Sequence, residues 1–139
     1  MKQTRILLVE PVAILCKGLG MFIEEHTDLK VVEAVHSFAE VKEKDNEVDL
    51  VLFDIESNED YKDFMAFKGQ NPTTKTLFIS SEERLVENYL FTQTEAVDLF
   101  LSKKMSPELL IQRIREVASG KIDKEITDMS AYLFNKLTA

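Results

Sequence analysis

One stretch constrains this chain more than any other: Val48-Asp49-Leu50-Val51-Leu52-Phe53-Asp54-Ile55. Five of its first six residues are apolar, and several are β-branched or aromatic. A half-exposed strand alternates apolar and polar residues. An almost unbroken apolar run fits a strand covered on both faces, as in a parallel sheet. Such a strand needs helices above and below it, which points to the α/β class. Asp54 closes the run. An unpaired carboxylate is costly to bury, so Asp54 belongs where the strand leaves the core. In open α/β sheets that rim, at the carboxyl ends of the strands, is where ligands bind.

The rest of the chain supplies the neighbours this strand needs. Arg5-Ile6-Leu7-Leu8-Val9-Glu10 reads as a first strand, again ending in an acid. A helix is predicted over residues 12–25, with Leu15, Leu19, Phe22 and Ile23 on its inner face. Gly18 and Gly20 lie inside it. No third glycine or Lys-Ser/Thr follows, so close packing is expected of them rather than phosphate binding. A second strand is predicted over 29–35. Ser37 and Glu40 then match a capping box opening a short polar helix to about residue 44. A third helix over 60–69 carries Tyr61, Phe64 and Met65 as its apolar stripe. A fourth strand follows over 75–80. The next helix, opening at Ser81, has Leu85, Val86, Tyr89 and Leu90 as its expected inner face. The fifth strand, 97–101, contains Asp98, as suits an edge. Ser106-Pro107-Glu108 opens a last helix with Leu110, Ile114, Val117 and Ala118 facing inward, and Gly120 ends it. Beyond it Met129, Leu133 and Leu137 recur every four residues in a segment too short to stand alone as a helix. Five strand–helix units predict a flavodoxin-like (βα)5 fold. Its parallel sheet has the order 2-1-3-4-5, with a linker helix after it.

A chain of 139 residues with 45% hydrophobic and 30% charged residues is long enough for one self-supporting core. The formal net charge of −8, with no basic face, argues against nucleic-acid or anionic-membrane binding by this segment itself. No run is long enough to span a membrane. The single cysteine, Cys16, cannot form an internal disulfide and no signal peptide is evident, so a reducing, cytoplasmic setting is expected.

The strand ends are most informative taken together. Strand one ends at Glu10, strand three at Asp54 and strand four at Ser80; Lys103 follows strand five. Each alone has an ordinary explanation: a turn acid, a surface acid, a capping hydroxyl, a solvated lysine. Together, at successive strand ends, they make a coherent chemistry. A carboxylate is a nucleophile toward a phosphoryl group. Carboxylates hold magnesium. A lysine and a hydroxyl stabilise the transferred charge.

Over residues 4–120 the sequence resembles the receiver domains of bacterial response regulators, particularly those preceding a LuxR/NarL-type DNA-binding domain. The resemblance rests on Leu7-Leu8-Val9-Glu10, Gly18-Leu19, Asp49 to Ile55, Leu77-Phe78-Ile79-Ser80, Phe100-Leu101-Ser102-Lys103, Ser106-Pro107-Glu108-Leu109-Leu110 and Ala118-Ser119-Gly120. It implies Asp54 as phosphoacceptor, Ser80 as switch hydroxyl, Phe100 as switch aromatic, Lys103 as phosphate-binding lysine and Glu10 in an acidic metal pocket. It also implies a sensor histidine kinase as phosphodonor and a homodimeric regulator that is not itself an enzyme. Three positions depart from the family pattern. Pro11 stands where a second acid is usual, Ser57-Asn58 replace Met-Pro, and Ala96-Val97-Asp98-Leu99 replaces Gly-Ala-Asp-Gly. The expected Mg2+ site, built from Glu10 and Asp54 with Glu56 as a compensating acid, is therefore weakened.

The expected organisation is a receiver domain over 1–120 and, over 121–139, a linker and the start of a truncated DNA-binding region; Leu137-Thr138 fits the opening of such a region. DNA contact is expected only through that further domain. Met21 and Ile111 are expected as apolar residues left over for a dimer contact. Two functions compete: a receiver phosphorylated on Asp54 to control transcription, and a pseudo-receiver serving as a phosphorylation-independent dimerisation or interaction module. A small flavodoxin-like enzyme or cofactor binder has no supporting motif.

Overall fold

The computed structural model describes residues 2–42, 48–81, 83 and 96–121. Five strands, β1 (Thr4–Val9), β2 (Leu29–Val35), β3 (Leu50–Phe53), β4 (Lys75–Ser80) and β5 (Leu99–Ser102), form one sheet in the order β2-β1-β3-β4-β5. Every pairing is parallel. This is the flavodoxin-like architecture expected from the strand–helix alternation. β1 lies between β2 and β3, and Ile6 to Val9 run in register with Leu50 to Phe53. That places the ends of β1 and β3 side by side. All four residues of β3 are buried, as its nearly continuous apolar run requires.

Helices α1 (Ala13–Glu24) and α3 (Pro107–Ala118) share one face of the sheet. There Cys16, Ile23, Leu110, Ile114 and Val117 pack on Ile6, Leu8, Leu52 and Leu77. Helix α2 (Asn58–Gln70) covers the other face through Phe64. That face is aromatic. The Phe53 ring stacks on Phe64 at 4.4 Å and on Phe78 at 5.1 Å, and Phe38 meets Phe53 and Phe64 edge-on. Ser106 and Gly120 act as the end signals expected of them, and α2 starts at Asn58, earlier than expected, capped by Ser57. Ser57 and Ser106 accept the backbone N–H of Asp60 and Leu109, as N-caps do. Gly120, at φ +79°, closes α3 with Gly120 N–H on Val117 O and Lys121 N–H on Glu116 O, a left-handed glycine cap.

Several expectations are corrected. The short helix after β2 is a single 3-10 turn, Phe38–Glu40. Val41 turns extended, and the Lys42 N–H goes to the Glu33 carboxylate at 2.9 Å instead of continuing a helix. In α2 Phe67 packs against the core while Met65 is exposed. In α3 Ile111 is buried and so is not a spare apolar residue; Arg113 is buried beside it. The fifth strand starts at Leu99. Asp98 precedes it, and its carboxylate accepts the Thr76 N–H. Among the described residues packing does not require Gly18 and Gly20. A Cβ at Gly20 would meet Leu8 at an ordinary 3.9 Å, and one at Gly18 would meet nothing within 4 Å. The helix expected from Ser81 through Leu90 and the segment from Asp128 lie largely or wholly outside the described residues. Among those residues no helix is long and apolar enough to cross a membrane.

Candidate functional site

Parallel pairing brings the carboxyl ends of β1, β3 and β4 to one rim, and the turn after β5 returns Lys103 to it. Each residue is held there by backbone geometry. Glu10 N–H bonds Val35 O, Asp54 N–H bonds Val9 O, and Lys103 N–H bonds Ser80 O. The ladders thus run one residue past each strand and carry the side chains to a common point.

Asp54 is at the centre and is 1% exposed. Its Oδ1 accepts the Ile55 N–H at 2.7 Å and the Ser80 hydroxyl at 2.8 Å. Its Oδ2 accepts from Lys103 Nζ at 2.6 Å. The same ammonium lies 2.7 Å from Oε1 of Glu10, which is also 1% exposed. That oxygen has no hydrogen bond of good alignment despite the short contact. The contact is therefore mainly electrostatic. The other Glu10 oxygen accepts the Val12 N–H at 2.8 Å. Burial disfavours the Lys103 ammonium. The hydrogen bond to Asp54 and the charges of Asp54 and Glu10 outweigh it and hold its pKa above the ordinary lysine value. Two carboxylates and one ammonium leave one net negative charge in a nearly closed corner.

Glu10, Asp54, Ser80 and Lys103, singled out from four separate stretches of sequence, are thus in mutual contact. Phe100 is 4% exposed, lies in the aromatic layer and is in register with Phe78. Glu56 is exposed. Among the described residues no three His, Cys, Asp or Glu side chains stand close enough to hold a metal. The backbone N–H groups of Ile55 and Val12 were not foreseen. They follow from the turns directly after β3 and β1.

The implied magnesium ion fits this donor set only weakly. It would need oxygens with free lone pairs and little competing positive charge. Here Asp54 accepts from three donors, and Pro11 supplies no third acid. The Lys103 ammonium already stands within 2.7 Å of both carboxylates.

No protein-family model matches this chain, and no curated protein matches it in sequence. Its shape does have solved counterparts, and they define it as having the receiver fold of response regulators. A CheY-like receiver domain protein from Methanospirillum hungatei JF-1 superposes with a TM-score of 0.74 at 20% identity, over 86% of this chain and 97% of that one. The receiver domain of the putative response regulator NarL from Mycobacterium tuberculosis gives 0.70 at 18%, over 86% and 99%. RcsB, solved as two dimers bound to two parallel DNAs, gives 0.77 at 10%, over 93% and 68%.

Proposed function

We propose that residues 1–120 form the receiver domain of a two-component response regulator, with Asp54 accepting a phosphoryl group from a sensor histidine kinase. One observation carries this reading: three donors, Lys103 Nζ, Ser80 Oγ and Ile55 N–H, converge within 2.8 Å on the carboxylate of Asp54. A carboxylate at a sheet rim is the nucleophile. The ammonium and the hydroxyl already stand beside the carboxylate, near where the oxygens of the incoming group arrive, and donors placed in advance lower a barrier. Once the group is attached, Ser80 bonds a phosphoryl oxygen instead of Oδ1. Phe100, on the adjoining strand, responds by changing its packing. The altered face then controls a two-fold regulator whose DNA-binding domain lies beyond residue 120, in a cytoplasmic setting.

Intact mass after incubation with acetyl phosphate and magnesium tests this. One phosphoryl group should add to the parent chain and none to Asp54→Asn. An unlabelled parent overturns the reading.

A second reading is a phosphorylation-independent interaction module. It is favoured by the 1% exposure of Asp54 and by the lysine already ion-paired with both acids. It predicts no label under any phosphodonor.

A further inference from the structure

The three strands whose carboxyl ends carry Glu10, Asp54 and Ser80 begin side by side at the opposite pole of the sheet. Asp49 N–H bonds Arg5 O at 2.8 Å, and Lys75 N–H bonds Asp49 O at 2.9 Å. The starts of β1, β3 and β4 therefore stand in one row. A cleft of about 620 Å3 opens on that row, lined also by Lys2, Gln70, Thr73 and Ala118. The length of β1, from Arg5 to Glu10, puts it ~16 Å from the rim. It is no part of the Asp54 site.

One wall of the cleft is built in advance. Lys68 Nζ donates to Pro72 O at 2.9 Å and to Thr74 O at 2.7 Å. The buried Thr74 hydroxyl donates to Val48 O at 2.9 Å, and the Asn71 side-chain amide to Phe67 O at 2.9 Å. These bonds tie the turn between α2 and β4 to the helix before it and to the residue leading into β3.

The charge of the cleft runs against that of the molecule. Among the described lining residues Lys2, Arg5 and Lys75 are cations and Asp49 is an acid, whereas the chain as a whole carries −8. One oxygen of Asp49 is engaged by the Arg5 N–H at 2.8 Å. Lys2 and Lys75 make no ion pair among the described residues. Lys75 is also half-buried. An ammonium held partly out of water without a counter-charge gains most from an anionic partner. Clefts of this volume hold small molecules, and their usual lining is apolar. A polar, cationic lining selects a charged occupant.

We infer that this cleft binds a small, multiply charged oxyanion, an organic phosphate or a polycarboxylate. Lys75 and Lys2 pair with its charges, and the Thr73 hydroxyl and Gln70 amide bond its oxygens. Binding there ties together the starts of the three strands and does not depend on phosphorylation of Asp54.

The test is titration calorimetry of the 139-residue chain with pyrophosphate and with citrate, in magnesium-free buffer at fixed ionic strength. Calorimetry is chosen because excluded anions raise melting temperatures without binding. A saturable site is expected. Saturation by pyrophosphate alone assigns an organic phosphate, by citrate alone a polycarboxylate, and by both a site that reads charge. Lys75→Gln should raise the dissociation constant about fivefold or more and Lys2→Gln about twofold, while both melt as the parent does. Asp54→Asn should bind as the parent does. On titration the amide resonances of Arg5, Asp49, Thr73 and Lys75 should shift, and those of Val12, Ile55 and Lys103 should stay. The proposal is overturned if neither anion saturates, if Lys75→Gln binds as tightly as the parent, or if the shifts centre on the rim.

Discussion

Replacing Lys103 by methionine keeps the aliphatic stem and removes the ammonium that pairs with both Glu10 and Asp54. Both acids are 1% exposed and lie within 2.7 Å of the ammonium. Removing one partner of a buried ion pair costs about 3–5 kcal/mol, because the other is left charged and unhydrated. Two circumstances reduce this. The lysine side chain is 23% exposed, so solvent screens part of the interaction. Asp54 also keeps Ile55 N–H and Ser80 Oγ, and Glu10 keeps Val12 N–H. We therefore expect a loss of about 3 kcal/mol, or roughly 10 °C in melting temperature for a domain of this size. Urea unfolding at pH 7, followed by circular dichroism, measures it. The midpoint should fall with the slope unchanged. Adding Asp54→Asn to Lys103→Met should recover a good part of the loss, since one like charge is gone. If Lys103→Met stays within about 1 kcal/mol of the parent, the acids are not held by this clamp and the reasoning fails.

Pro11→Asp restores a third acid and should tighten magnesium by about ten- to a hundredfold in titration calorimetry, from a charge contribution of roughly 1–3 kcal/mol after hydration. Equal affinity in parent and variant refutes the weak fit of the metal to this pocket. Ser106→Ala removes the cap on Leu109 N–H and should cost about 1 kcal/mol in urea unfolding. The hydrogen bonds from Arg115 to Asp28 hold that carboxyl below its ordinary pKa. Its contribution is therefore present above the unfolded value near pH 4 and fades as pH falls through the lower folded value. Asp28→Asn should narrow the acid-range gap in stability by less than about 1 kcal/mol, since the pair is partly exposed. The raised pKa of Lys103 gives the opposite sense: its contribution is complete below about pH 10.4 and is lost only as pH rises through the folded value. Lys103→Met should therefore show a constant deficit between pH 7 and 9.

The architecture was legible because strand burial leaves a coarse mark. Val51-Leu52-Phe53 has little alternative to a doubly covered strand, and an acid at its end must sit at the rim. Local signals were less dependable where a distant group competed for the backbone. Ser37 and Glu40 have the right spacing for a helix start, yet Glu33 on the neighbouring strand takes the Lys42 N–H and pulls the chain away. Periodicity also placed faces only to within one residue. Met65 and Phe67 differ by two positions on α2, and the larger ring went to the core. Ile111 was buried for the same reason. The four contacting site residues could be named from their strand ends. That Lys103 bridges both acids could not, because it depends on how far the turn after β5 folds back over the sheet.

The clamp joins residues 10, 54, 80 and 103, at the carboxyl ends of four of the five strands, and Lys103, the cation paired with both acids, comes last. During synthesis both acids leave the ribosome before their counter-charge exists. At typical elongation rates the 49 residues from 55 to 103 take roughly 2–10 s. Once β4 is made within that interval, β1, β3 and β4 can pair in register, but closing their rim would bring two carboxylates together in a dry corner. The nascent sheet is thus kept open at its carboxyl end by like charge, while its apolar layers are free to collapse. The turn after β5 ends that stage. A chain interrupted before Lys103 carries two acids at the centre of its own sheet without the ammonium that pairs with both.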